Sequence, residues 1–145
     1  MAFLDKQLMF SEEQDLGSAT SGSTTNSTNN VDLGPSKLDC NAAGQPLELL
    51  VQVREAFAGS GASVQFQLEA ANETAFDTTN VILAETPAIA ITSLTVNTEH
   101  FRIRIPDSAL RYHRLKYLVT AAGLSAGMID AGIVLDRQRG TRTSQ

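Results

Sequence analysis

The feature that most constrains the fold is a stretch near the end of the chain, YHRLKYLVTAAGLSAGMIDAGIVLD, which spans residues 112–136. In its first part apolar residues alternate with polar ones, so that Leu115, Tyr117 and Val119 fall on one face. After a soft middle segment the alternation resumes with Ile129, Ala131, Ile133 and Leu135. A repeat of two residues is the pattern of a β-strand with one buried face. We therefore predict two strands that form a β-hairpin around a glycine-containing loop.

The polar face of this hairpin predicts how its strands are aligned. Arg114 and Lys116 point away from the apolar face of the first strand, and Asp136 points away from that of the second. Opposite charges on neighbouring strands attract each other and help to specify the register. We expect a cross-strand pair between Asp136 and these cations.

Further strand patterns occur throughout the chain. Two strong ones at residues 47–54 and 64–70 flank a turn at 58–61, so that residues 47–71 are predicted to form another hairpin. Weaker patterns lie at residues 6–10, 81–83 and 101–105, and residues 88–96 fit either a short strand or a short helix. We predict an all-β fold, an antiparallel, jelly-roll-like β-sandwich of about seven to eight strands; an immunoglobulin-like strand order stays open.

The length of 145 residues fits a single domain, residues 1–145. Within it, residues 18–30, SATSGSTTNSTNN, carry neither a charge nor a large apolar side chain. Such a tract buries too little surface to offset the entropy lost on ordering, so we predict a flexible surface loop. Residues 137–145, RQRGTRTSQ, are predicted to form an exposed basic tail.

Composition limits the class of protein. No apolar run approaches the roughly 18 residues that a membrane helix needs, and the N-terminal segment lacks the apolar core and cleavage site of a signal peptide. The single cysteine, Cys40, excludes an internal disulfide and agrees with a reducing compartment. We expect a protein that is made in a cytoplasm and has no membrane partner.

Charge is distributed unevenly along the chain. Residues 1–99 contain 13 acidic and 3 basic residues, whereas residues 100–145 contain 3 acidic and 8 basic ones. Such a split is typical of complementary surfaces that dock copies on each other or on a partner. The alternative is that interleaved strands scatter these charges over the folded surface.

The chain offers little that resembles a catalytic or metal site. His100 and His113 lack a third ligand at a metal-binding spacing and are expected to be exposed. Residues 59–61, Gly-Ser-Gly, are expected to form a turn, because no Gly-Lys-Ser/Thr follows them as in a phosphate-binding loop. We expect no enzymatic activity, no catalytic residue, no metal and no cofactor.

A basic segment at residues 102–116 raises the alternative of nucleic-acid binding, since Tyr112 and Tyr117 lie near its arginines as stacking residues do. However, the chain is acidic overall, with an isoelectric point of about 4.9, and Tyr117 falls on the apolar face of its strand. We expect no nucleic-acid partner. A solvated sheet face, or one that meets an acidic protein surface, fits these residues better.

Three segments together resemble a known family. They are the opening MAFLDKQLMFSEEQ, the Ser/Thr-rich tract that leads into residues 31–34, and the ending YHRLKYLVTAAGLSAGMIDAGIVLDRQ. They are similar to the capsid cement proteins of short-tailed bacteriophages, of the Bordetella-phage type. The resemblance spans nearly the whole chain and is strongest at both ends. It implies a jelly-roll or β-sandwich subunit on the outside of a phage head.

This resemblance implies a structural virion protein that decorates the capsid and clamps adjacent copies of the major capsid protein. Its partners would be the major capsid protein and itself, as a homodimer or homotrimer, and it would be made in the bacterial host cytoplasm. The alternative is a tail-fibre, receptor-binding or carbohydrate-binding β domain, which the absence of tryptophan disfavours. The residues expected at the interface are Phe3, Leu4, Phe10, Arg114, Lys116, Arg137, Arg139 and Arg142.

Overall fold

In the computed structural model of the chain, residues 6–34, 47–106 and 110–135 are described. They form ten strands and two short 3₁₀ turns, at Lys6–Leu8 and Ile91–Ser93. The strands are β1 (Met9–Asp15), β2 (Thr24–Asn26), β3 (Val31–Asp32), β4 (Leu47–Ala58), β5 (Ser63–Ala71), β6 (Val81–Glu85), β7 (Ile89–Ala90), β8 (Glu99–Arg104), β9 (Tyr112–Thr120) and β10 (Ala126–Leu135).

The strands form two antiparallel sheets with the order of a jelly roll. One sheet has the order β1-β10-β4-β8 and the other β2-β9-β5-β6, with β3 also on β9 and β7 also on β5. If β2 with β3 and β6 with β7 are each counted as one interrupted strand, eight strand positions remain. Their order is 1-8-3-6 in one sheet and 2-7-4-5 in the other, which is the eight-strand jelly roll. The all-β sandwich is therefore confirmed, and its strand order is the jelly-roll one.

Both predicted hairpins are wrong, although their strands are present. β9 lies in the six-stranded sheet and β10 in the four-stranded one, so residues 121–125 cross from one sheet to the other. The strands β4 and β5 are divided between the sheets in the same way. Alternation reveals which face of a strand is buried, but both faces of a sandwich core are alike, and the pattern does not specify the neighbouring strand.

The core lies between the two sheets and contains the alternating residues that the sequence indicates. Phe66 on β5 is fully buried at its centre. Its ring meets Tyr117 edge-on at 5.9 Å between centroids and stacks on Phe101 at 6.4 Å. Burying one such side chain contributes about 1.5–3 kcal/mol to folding, so aromatic residues from both sheets stabilise their association.

The fold mixes the acidic and basic parts of the sequence. Jelly-roll order places strands from the first half of the chain beside strands from the second half, and their charges meet across the strand pairs. Within the residues that the structure describes, these pairs are Arg102 with Glu48, Arg114 with Glu69, and Arg111 with Asp32. The interleaving alternative is therefore confirmed for these pairs.

The tract at residues 18–30 has more structure than predicted. Residues 24–26 form β2 and pair with β9, and the Ser27 amide donates to the Leu115 carbonyl at 2.7 Å. The prediction of a loop is wrong for this part. Backbone N–H and C=O groups form hydrogen bonds with a strand edge whether the side chains of their segment are polar or apolar. Cys40, Asp136 and the tail at 137–145 lie outside the described residues.

Candidate interaction surface

Most residues expected at the interface lie outside the part of the chain that the structure describes, namely Phe3, Leu4, Arg137, Arg139 and Arg142. Phe10 is described, and its side chain is fully buried in the core between the sheets. A buried ring offers no surface to a partner, so Phe10 stabilises the subunit itself in this conformation.

Arg114 and Lys116 are paired within the subunit. Arg114 Nε lies 2.8 Å from Glu69 Oε2, and Lys116 Nζ lies 2.6 Å from Glu69 Oε1. Only 2% of the Glu69 side chain is exposed, so a nearly buried carboxylate holds both cations on the outer face of the six-stranded sheet. The partner expected for them, Asp136, lies outside the described residues. The structure thus gives these cations a structural role.

The loop at residues 72–80 covers this ion cluster. Phe76 is buried, and the Arg114 guanidinium carbon lies 4.2 Å from the centre of its ring. Glu73 holds the loop, because its carboxylate accepts hydrogen bonds from the amides of Thr78 at 2.7 Å and Thr79 at 2.8 Å. These bonds lower the pKa of Glu73. The loop therefore has a defined conformation, which fixes the position at which β6 begins.

One side of the sandwich, where β1 and β2 are the outer strands, is closed by side-chain bonds. Gln14 Nε2 donates to the Asn26 carbonyl at 2.8 Å, and its Oε1 accepts from the Thr28 amide at 3.1 Å. Deeper in, Ser11 Oγ and the Tyr117 hydroxyl are 2.7 Å apart. β1 also contains two irregularities in its pairing with β10, which bend an edge strand and discourage pairing with another molecule.

The opposite side, where β6, β7 and β8 are the outer strands, is more open. Among the described strands, β6 pairs with β5 alone and β8 pairs with β4 alone. The exposed large apolar residues of the described chain all lie here. Val81 is 50% exposed and Ile82 49% exposed on β6, and Val96 is 39% exposed in the connection from β7 to β8. A strand edge with exposed β-branched side chains is a surface for pairing with another strand.

Some of the charges on this side have no ion pair among the described residues, although Arg102 of β8 is paired with Glu48 and Glu99. Residues 72–98 contain three acidic residues, Glu73, Asp77 and Glu85, and no lysine or arginine. Arg104, at the end of β8, is exposed and is the one cation of the described chain without an ion pair there. We call β6, β8 and the connections 72–80 and 91–98 the open side. It combines exposed apolar residues with charges of both signs, some of which have no ion pair within the described part of the chain.

Sequence reasoning predicted the β6 strand but not its exposure. The signal was the run Val81-Ile82-Leu83, in which consecutive apolar residues point to opposite faces. Such a run is typical of a strand buried on both faces, and here it belongs instead to an edge strand. An apolar strand without alternation at a sheet edge is a candidate contact element.

The histidines differ from the expectation. His113 is buried on the core face of β9, so the prediction that it is exposed is wrong, whereas the half-exposed His100 lies with its Nε2 2.9 Å from the Thr95 carbonyl. Burial lowers the pKa of His113, and the backbone of Arg111 acts in the opposite direction.

No three His, Cys, Asp or Glu residues of the described segments form a metal-binding group. No helix in those segments is long and apolar enough to cross a membrane.

Comparison with known proteins identifies the family. The chain matches the family model described as Bbp16 over residues 11–133, from within β1 to within β10. The chain belongs to the Bbp16 family. No curated protein matches it. The match agrees with the Bordetella-phage type of family that the sequence resembles, and it carries no statement of function.

The Bbp16 match contains the whole open side. Both edge strands, β6 and β8, and the connections between them lie inside residues 11–133. The terminal residues expected at an interface, such as Phe3 and Arg137, lie outside it. The open side therefore belongs to the part of the chain that this family shares.

Proposed function

We propose that this protein decorates the outside of a tailed-phage head and stabilises it by binding adjacent copies of the major capsid protein. It acts as a structural virion component without enzymatic activity, cofactor, nucleic-acid partner or membrane partner. It is made in the bacterial host cytoplasm and joins the capsid from outside.

The observation that carries this proposal is the contrast between the closed and open sides of a Bbp16-family jelly roll. One side is closed by the hydrogen bonds of Gln14, whereas the other exposes Val81, Ile82 and Arg104, which has no ion pair among the described residues. A subunit that exposes apolar residues at the edges of its sheets is suited to contact other proteins. The sequence resemblance to phage cement proteins supports placing these contacts on the outside of a phage head.

Stabilisation follows from many modest contacts. When one copy bridges two capsid subunits, these subunits can separate only if the contacts of that copy are broken. On a closed shell the copies act together, so contacts that are weak individually hold the shell through avidity. The basic residues Arg137, Arg139 and Arg142 add charge for an acidic capsid surface in this proposal.

A direct test is to add the purified protein to heads that lack it and to measure co-sedimentation and the temperature at which the heads release DNA. We expect saturable binding and a higher release temperature. A variant that ends at residue 136 measures the contribution of the tail. We expect it to bind the heads more weakly than the intact chain does at low salt, where charge interactions are least screened. Absence of binding by the intact chain contradicts the proposed function.

A further inference from the structure

We infer that His113 makes the attachment of the short strand β3 to β9 sensitive to pH. The neutral imidazole allows β3 to cover it, and protonation of the imidazole in mild acid releases β3 from β9 while the rest of the sandwich stays folded. This opening takes place in the free subunit and does not depend on binding to capsids.

His113 is a polar side chain at a position that suits an apolar one. It lies on the core face of β9 and is only 1% exposed. Neither of its ring nitrogens has a hydrogen-bond partner within the described part of the chain. A buried polar group without a partner destabilises a fold, and an apolar side chain of similar size would pack here without that cost. The ring is therefore a candidate for a role other than packing.

In the sheet that contains His113, the charged groups of the neighbouring strands are paired on the outer face. On β3, Asp32 is paired with Arg111. On β5, Glu69 holds Arg114 and Lys116. These carboxylates are directed away from the core, so they do not form an ion pair with a protonated ring.

The described strands of the facing sheet place their carboxylates on their own outer face. Asp130 of β10 and Glu48 of β4 both lie in ion pairs there. Tyr117, the other titratable side chain on the core face of β9, has a raised pKa and is neutral. The backbone of Arg111 favours the protonated ring, but burial opposes it more strongly and lowers the pKa of His113. A proton on this ring therefore creates a buried charge without a counter-charge, which costs much free energy.

β3 is the neighbour of His113 that separates with the smallest loss of contacts. It contains only Val31 and Asp32 and pairs with β9 alone, whereas β5 pairs with β9 along its whole length. The Leu33 amide extends the pairing with one hydrogen bond to the Arg111 carbonyl, at 2.9 Å. The ion pair between Asp32 and Arg111 is partly exposed, and such pairs contribute little to stability.

Val31 determines the balance between the closed and the open positions of β3. It lies directly opposite His113 in the strand pairing and is buried, so its burial holds β3 closed at neutral pH. When β3 separates, the edge of β9 at His113 becomes accessible to water, which solvates a protonated ring.

The direction of the pH dependence follows from these two positions. With β3 closed, the pKa of His113 lies below its ordinary value of 6.5, and with β3 open, contact with water restores the ordinary value. Above pH 6.5 the ring is neutral in both positions and β3 stays closed. Below it, the open position binds a proton that the closed one does not. Opening therefore increases about tenfold per pH unit until the pKa of the closed position is reached.

The first test measures the exchange of backbone amide hydrogens by NMR at a series of pH values, corrected for the intrinsic exchange rate. The Leu33 amide reports on β3, because it donates to the Arg111 carbonyl. We expect its protection to fall about tenfold between about pH 7.5 and about pH 5.5. The matched control is the Ser27 amide, which donates to the Leu115 carbonyl on the same edge of β9 and should keep its protection.

The second test uses substitutions on the two sides of the contact. His113→Phe keeps an aromatic ring and removes the titration, so the protection of the Leu33 amide should no longer depend on pH. Val31→Ala keeps the histidine and weakens the hold on β3, which increases opening about tenfold. The pKa of the His113 ring, measured from its NMR shifts, should then rise towards 6.5. The control Val64→Ala makes the same change at the far end of the β5–β9 pairing and should leave that pKa unchanged.

Several results would overturn the inference. Protection of the Leu33 amide that does not change with pH excludes the opening, and an equal loss at the Ser27 amide shows that more than β3 opens. A pH dependence that persists in His113→Phe assigns the opening to another group. If that variant does not fold, the ring pKa decides, because equal values in Val31→Ala and Val64→Ala exclude a coupling between β3 and the ring.

Discussion

The hydroxyl of Tyr117 lies 2.7 Å from the Oγ of Ser11, so a fully buried side chain of one sheet is hydrogen-bonded to the edge strand of the other. Burial raises the pKa of Tyr117 far above its ordinary value, which keeps its hydroxyl neutral. The bond ties β9 to β1 across the core. It is a polar link between the two sheets, at the side of the sandwich that Gln14 closes.

We predict that Tyr117→Phe destabilises the protein. The substitution retains the ring and removes the hydroxyl, so Ser11 loses one partner and keeps its hydrogen bond to Gln14. A hydrogen bond of this kind contributes about 1 kcal/mol net. Urea unfolding should show a loss of about that size. Tyr112→Phe, which makes the same change at a half-buried position, is the control and should change stability much less.

We also predict that Glu69→Gln is destabilising. Glu69 is nearly buried and holds Arg114 and Lys116, so a neutral side chain leaves two partly buried cations without their counter-charge. The cations are partly exposed, so water replaces some of the lost interaction, and the expected loss in the free energy of unfolding is about 2 kcal/mol. Glu85→Gln on the exposed end of β6 serves as the control. Equal stability of the two variants in urea unfolding would show that the buried cluster is not structural.

The free energy of unfolding should decrease as the pH is lowered, over a range that is set by the pKa of His113. Burial lowers the pKa of His113 below its ordinary value of 6.5, so the unfolded chain binds a proton at a pH where the folded chain does not. The unfolding free energy is therefore at its full value above pH 6.5 and decreases as the pH falls from 6.5 to the pKa of the folded state. Unfolding in urea at a series of pH values measures this slope.

The control for the pH dependence is a comparison of His113→Gln with His100→Gln. The first variant should flatten the slope and the second should retain it. A second loss is expected at lower pH, because Arg111 and the Gly34 amide lower the pKa of Asp32 from 3.8 to about 2. That contribution is present above pH 3.8 and is lost as the pH falls towards about 2. An unchanged slope in His113→Gln would assign the higher range to another group.

Local patterns predicted the strands and their buried faces but not their neighbours. The alternation at Leu115, Tyr117 and Val119 was sufficient to identify the core face of β9, because burial on one face is a local property. β9 pairs along its whole length with β5, more than 40 residues away, because the chain crosses between sheets after almost every strand. Two hairpins were predicted where the jelly roll has crossings, since short connections suit both.

The open side was the least predictable feature. β6 and β8 are edge strands because each has a neighbouring strand on one side only, and this depends on the strand order of the whole fold. The burial of Glu69 was hidden in the same way, because it depends on the loop that places Phe76 over Arg114. The Val81-Ile82-Leu83 run was visible in the sequence, and its position at an edge was not.

The most direct measurement of the proposed function is the number of copies of this protein relative to the major capsid protein in purified virions, determined by quantitative mass spectrometry. A decoration protein that clamps adjacent capsid subunits is present in a fixed proportion comparable to that of the major capsid protein, and we predict this result. The small copy number of a tail-fibre or receptor-binding component, or absence of the protein from virions, would contradict the account.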